Sequence, residues 1–156
     1  MATSQLATLP SHLKDPDRLN PRNIPFMHKQ QLANRVEQTL TPGEANTIKY
    51  HRKNLPLGAK APDGRPMTAL MVGPRITSGT HKDKYASVPS FVPGHNNNKP
   101  MTEGQALKYW QSEIDAGKWP IYNSGEELNA RSKEIHTIMD VDAENYVPVR
   151  PSLGRR

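Results

Sequence analysis

Histidine is the side chain most often recruited to catalysis and metal binding, and the chain has six: His12, His28, His51, His81, His95 and His136. A zinc or other transition-metal site needs ligands at short, recurring intervals. These six are scattered through the sequence without such spacing, so they read as surface and packing residues. There is no cysteine, which removes disulfides, thiolate ligands and thiol nucleophiles together. Glu126-Glu127 with Glu134 could serve as the acid and partner of a glycosidase. Glu127 is better explained by its place three residues after Ser124, where its carboxylate closes a helix cap, and the other two by a solvated helix face. The serine elbow G-x-S-x-G, the zinc motif H-E-x-x-H, the phosphate loop G-x-x-x-x-G-K-[ST] and the dinucleotide fingerprint G-x-G-x-x-G are all missing. The chain therefore reads as a non-enzyme, with no catalytic residues, no metal and no cofactor.

Cations are the remaining chemistry. His51-Arg52-Lys53 and Lys82-Asp83-Lys84-Tyr85 form two short basic patches, and Arg150, Arg155 and Arg156 follow at the end of the sequence. Arg52, Lys53, Lys82, Lys84, Arg150, Arg155 and Arg156 are accordingly the polyanion contacts to expect, with Tyr85 able to stack on a base. Cations that stabilise a helix C-terminus and an ordinary solvated loop account for the first two patches equally simply, so weak nucleic-acid contact ranks as a secondary property.

These residues must be held by elements the sequence punctuates clearly. Pro10, Pro16, Pro21 and Pro25 recur every four to six residues, and each ring removes a donor and pushes its predecessor toward extended backbone. Residues 1–25 hold no useful helix and read either as a disordered tail, the reading favoured for a lone chain, or as an arm that orders by lying on a neighbouring subunit. Met27, Leu32, Val36 and Leu40 give a modest helical period over 26–40. Thr41-Pro42-Gly43-Glu44 combines an N-cap, a proline at the first helical position and a glutamate at the third, starting a helix that runs to about Asn54. Its stripe of Ala45, Ile48, Tyr50 and Arg52 is mixed, which implies a half-exposed helix. After the Asp63-Gly64 turn, 67–72 and 85–92 read as an antiparallel strand pair, with Pro89 placing the second strand at a sheet edge. Thr102 with Gln105 starts another helix, ended by Gly117; residues 119–122 cross back extended; Ser124 with Glu127 starts a last helix ending near Asp140.

Composition agrees with a small core. Of 156 residues only 34% are apolar, and 15 prolines and 10 glycines take another 25 positions. Most aromatics lie between Tyr50 and Tyr122. Net charge is +6, and the excess sits outside 41–146: residues 1–40 carry 5 basic and 3 acidic groups, 41–146 carry 13 and 12, and 147–156 carry 3 and none. No stretch approaches the length of a membrane span, and Met1 to Pro10 lacks the pattern of a signal peptide, so a soluble chain made in a cytoplasm is expected. The organisation expected is an extended arm with a short helix at 1–40, an α+β module at 41–146 with a short antiparallel hairpin and about three helices, and an extended basic arm at 147–156.

Taken in order, Thr41-Pro42-x-Glu44, Tyr50-His51 with Asn54-Leu55, Asp63-Gly64-Arg65 with Thr68, Tyr85-x-x-Val88-Pro89-Ser90, the helix over Ala106, and Trp119-Pro120-x-Tyr122-x-Ser124-x-Glu126-Glu127 resemble a small module of tailed-bacteriophage virion proteins. The resemblance spans about 41–146. It departs where Phe91-Val92-Pro93-Gly94 replaces a tryptophan-containing turn, where Ser90 stands for threonine, and where the Arg75 to Lys82 loop is inserted. The family carries the module alone or fused into larger virion proteins, some with a peptidoglycan-cleaving domain, and assigns it no catalytic residues. The resemblance implies a minor structural component of a virion, made in a bacterial host, whose partners are shell, portal or tail subunits in symmetric multiple copies. Subunit contacts are expected at Tyr85, Val88, Pro89 and Phe91 by strand addition and at Val147, Pro148, Val149 and Leu153 by apolar contact. The alternative is an internal protein ejected with the genome that binds DNA or the cell wall.

Overall fold

The computed structural model describes residues 26–60, 64 and 67–147, with the backbone alone for 26 and 27. Among the described residues two α-helices, α1 (Phe26–Glu37) and α2 (Pro42–Asn54), precede three two-residue strands, β1 (Met71–Val72), β2 (Tyr85–Ala86) and β3 (Val88–Pro89), followed by α3 (Glu103–Asp115), a fourth such strand β4 (Ile121–Tyr122) and α4 (Gly125–Asn145). The class is α+β, as the sequence implies.

The helix starts are set by side chains. At α2 the Thr41 hydroxyl accepts from the Glu44 amide at 3.3 Å while the Glu44 carboxylate accepts from the Thr41 amide at 2.8 Å, a complete capping box behind Pro42. Thr102 and Gln105 do the same for α3, at 3.3 and 2.9 Å. At α4 only half the box forms: Ser124 accepts from the Glu127 amide, but the Glu127 carboxylate reaches one residue further back, to the Asn123 amide.

The strands are shorter and wired differently from the expected hairpin. β1 pairs antiparallel with β3, Met71 opposite Pro89 and Val72 opposite Val88. β2 instead pairs with β4, Tyr85 opposite Tyr122 and Ala86 opposite Ile121. The 85–92 stretch breaks at Ser87, whose amide donates to the Pro120 carbonyl, so one apparent strand serves two sheets. Residues 67–70 are irregular, tied at one end by the Met67 amide to the Ala59 carbonyl and at the other by the Leu70 carbonyl to Ser90. The segment read merely as an extended return, 119–122, supplies the fourth strand.

Two apolar clusters form the core. Ala33 and Val36 of α1, Ile48 of α2 and Ile135, Ile138 and Met139 of α4 make one, and Ile76, Val88, Trp110, Ile114 and Trp119 anchor the other. Tyr50 touches both, packing edge-on against Trp110 and Trp119 while its hydroxyl donates to the Phe91 carbonyl at 2.8 Å. Because α1 contributes to the first cluster, a boundary at 40/41 would cut across the core. The apolar register of α1 also differs from expectation: Ala33 and Val36 face inward and Leu32 is exposed. α4 runs five residues past Asp140, since Val141 is buried and Asp142 and Glu144 are held by Arg52 and Lys29. No helix among the described residues is long and apolar enough to cross a membrane.

Candidate functional site

The buried face of α2 is polar. Glu44, Thr47, His51 and Asn54 follow one another at intervals of three and four, which lines them along one side of the helix, and all four are buried. Burial of polar groups is tolerable only when each finds a partner.

Glu44 sits where α2 begins and is 1% exposed. Its Oε1 accepts from the Tyr122 hydroxyl at 2.9 Å and from Arg131 Nε at 2.8 Å, and its Oε2 accepts from Arg131 Nη2 and the Thr41 amide. Arg131 continues to the Thr39 carbonyl and to Glu134, so one guanidinium ties α4 to both ends of the α1–α2 connection. Burial alone would raise the Glu44 carboxyl, but the hydrogen bonds from Arg131, Thr41 and Tyr122 outweigh it and hold the group below the usual carboxylate range. Burial, reinforced by the adjacent carboxylate, pushes the Tyr122 phenol up. Carboxylate and phenol are thus each held in their ordinary neutral-pH form, and the pair fixes α2 against β4 and α4.

His51, 2% exposed, stands two turns along. Its Nδ1 pairs with the Thr68 hydroxyl, and Asn54 donates to the Thr68 carbonyl at 2.9 Å, so two α2 side chains pin one residue of the 67–70 segment. His51 Nε2 points toward the Met139 backbone and Asp142 Oδ2, 4.0 Å away, without closing a full hydrogen bond. Burial lowers the His51 pKa, and the nearby Asp142 carboxylate only partly opposes it, so the ring is neutral. Asp142, His51 and Thr68 stand in the order acid, imidazole, hydroxyl. A nucleophile must reach its substrate, however, and Thr68 is buried with its carbonyl already engaged. This array works as a clasp.

Arg52, one residue on, faces outward and grips two carboxylates: Asp142 through Nε at 2.7 Å and Nη2 at 3.3 Å, and Glu37 through Nη1 at 2.7 Å. These hydrogen bonds hold its guanidinium firmly charged. A shallow cleft of about 360 Å³ lies beside it, lined by Glu37, Leu40, Ala45, Ile48, Lys49 and Arg52, and Glu44 and His51 do not open into it. No group of three His, Asp or Glu among the described residues is placed to hold a metal ion.

The expected site residues fare unequally. Val88, Pro89 and Phe91 are not available for strand addition: Val88 is 0% exposed, Phe91 is buried with its carbonyl accepting from the Tyr50 hydroxyl, and the Pro89 carbonyl accepts from Trp110 Nε1 at 2.8 Å, so α3 covers the edge. Tyr85 is half-buried in its pairing with Tyr122. Arg52 is spent on Asp142 and Glu37 and is no free polyanion contact. Lys53, Lys82 and Lys84 are exposed, and Val147 is 80% exposed. Pro148, Val149, Leu153, Arg150, Arg155 and Arg156 lie outside the described residues. Sequence reading missed Glu44, Arg131 and Tyr122 as a unit, because a glutamate at the third helical position is fully explained by its cap; both carboxylate oxygens, Oε1 and the capping Oε2, also take tertiary contacts.

Compared with known proteins, the chain matches no family model, no curated protein and no solved structure.

Proposed function

We propose that the chain is a non-enzymatic minor component of a tailed-phage virion that docks on neighbouring subunits, with the folded body as a rigid plug and the proline-rich flanking segments as the contacts that lace it in. The observation that carries this reading is the position of the two ends of the body. Lys29 of α1 bonds Glu144 of α4 at 2.6 Å, and Asn145 donates to Gln30, so residues 26 and 147 lie at the same end of the helix pair and both flanking segments depart from there. A body with one attachment end suits a subunit that inserts into an assembly. The reactive side chains of α2 are meanwhile committed to holding the body together, which supports a binding role over a catalytic one.

The test is quantitative mass spectrometry of intact and genome-emptied particles, scoring this chain against the major shell protein. Retention at a fixed ratio is the expected result. Loss with the genome would transfer the chain to the ejected class, and absence from both preparations would remove the virion reading.

A further inference from the structure

The His51 ring is buried with one nitrogen unpaired. Nδ1 meets the Thr68 hydroxyl, while Nε2 has no hydrogen-bond partner and stands 4.0 Å from Asp142 Oδ2. A proton added to this ring would make both nitrogens donors. The nearest anion to receive the second of them, Asp142, is already held by Arg52 through Nε and Nη2. The other charges facing the ring are Asp140 on α4, which Lys29 of α1 pairs, and Arg52 itself, which also holds Glu37 of α1. Met67-Thr68-Ala69-Leu70, on the opposite side, brings no charge. The near carboxylate is thus offset by the guanidinium beside it, and burial decides in favour of the neutral ring.

His51 is covered by two pieces of chain that differ in how firmly they are held. α4 presents Met139 and Asp142 and is anchored in the first apolar cluster by Ile135, Ile138 and Met139. The 67–70 segment presents Thr68, has no regular structure, and contributes only Ala69 to that cluster. It is fastened by the Met67 amide to the Ala59 carbonyl, by His51 and Asn54 to Thr68, and by Ser90 to the Leu70 carbonyl. An irregular stretch with so little apolar anchorage opens at lower free energy than a helix packed along its length. We infer that residues 67–70 form an acid-released flap: His51 takes up its proton in a state where the segment has lifted off α2 while the rest of the body stays folded. Lifting frees the ring from Thr68, gives the imidazolium access to water and uncovers the side of α2 that carries His51 and Asn54. The direction follows from linkage. The ring in the open state titrates near the ordinary value of about 6.5 and the closed ring lower, so opening is favoured as pH falls below about 6.5.

Hydrogen exchange followed by NMR on the purified full chain reads the flap and the body separately, whether or not the chain is found in particles. The Met67 amide, bonded to Ala59, reports the flap, and the Ile138 amide within α4 reports the body. After correction for intrinsic exchange, Met67 is expected to be less protected than Ile138 at both about pH 7.5 and about pH 5.5. Its protection is expected to fall about three- to tenfold between them, and to respond less to dilute urea than that of Ile138. His51→Gln is expected to abolish the fall. If that variant does not fold, the His51 ring resonances of the wild type serve instead, with a titration midpoint expected below about 6.5. Equal protection of Met67 and Ile138 would overturn the inference, since only unfolding of the whole body would then release the ring. Protection at Met67 that is indifferent to pH would overturn it too, as would a fall that persists in His51→Gln or a ring midpoint at or above about 6.5.

Discussion

Glu44 and His51 show how much of this fold rests on buried polar residues that a hydropathy pattern passes over. Replacing Glu44 with Gln removes the charge that Arg131 and Tyr122 are arranged around while leaving Arg131 partly buried. Loss of one partner of such a pair costs about 3 kcal/mol, measurable as a lower urea midpoint with an unchanged slope. His51 makes stability depend on pH in a defined direction. Its folded-state pKa is lowered, so the unfolded chain binds the proton more readily. Its contribution is complete above the unfolded value of about 6.5 and is lost as pH falls toward the folded pKa, at up to about 1.4 kcal/mol per pH unit. Unfolding at about pH 7.5 and about pH 5.5 is expected to show the acid-side loss in the wild type, and His51→Gln is expected to flatten it. An equal slope in both would assign the acid sensitivity elsewhere. Glu44, also lowered, acts in the same direction at more acid pH, below the ordinary carboxylate value of 4.5.

Among the elements, α2 is the keystone, and its start is fixed by backbone proximity as well as by the Thr41 cap. A Cβ on Gly43 would lie 2.7 Å from Pro120 N and Trp119 C, closer than side-chain carbons approach backbone. Gly43→Ala therefore destabilises the protein by about 1–3 kcal/mol, although alanine favours an isolated helix, because α2 must move off the segment leading into β4. A gain in melting temperature would show that this approach is not what fixes the helix. The same scale explains what the sequence disclosed. All three cap serine and threonine residues were legible because caps are local: one side chain meets an amide three residues away. The strand pairing was not, because two-residue strands carry no periodicity, and Tyr85 takes its partner from a segment more than thirty residues on while Val88, three residues away, pairs back with Val72. The end of α4 was obscured for a related reason. Asp140, Asp142 and Glu144 look like solvated residues at a helix end until Lys29 and Arg52, from two other helices, meet them. The polar face of α2 was hidden most fully: His51 and Asn54 stood out in the resemblance to the phage module, yet only their shared hold on Thr68 explains why they belong together.

At the scale of the whole molecule, the proposed role divides the work between the body and its flanking segments. The α1–α2–α4 layer and the smaller aromatic layer around Trp110 and Trp119 share Tyr50, so they melt together, and a single calorimetric transition is expected from the full chain. The candidate contacts inside the body, Val88, Pro89 and Phe91, are consumed by its own core, and the proposed role therefore assigns docking to the segments 1–25 and 148–156. The central claim is therefore a division: folding belongs to residues 26–147 and attachment to what flanks them. Its most direct test is to supply, in place of the full chain, variants lacking 1–25, 148–156 or both, and to measure their melting temperature alongside their incorporation into purified particles. The account predicts a melting temperature close to that of the full chain with incorporation lost, most completely in the double deletion. Undiminished incorporation of the bare body would contradict it and return the docking role to the surface of the folded unit.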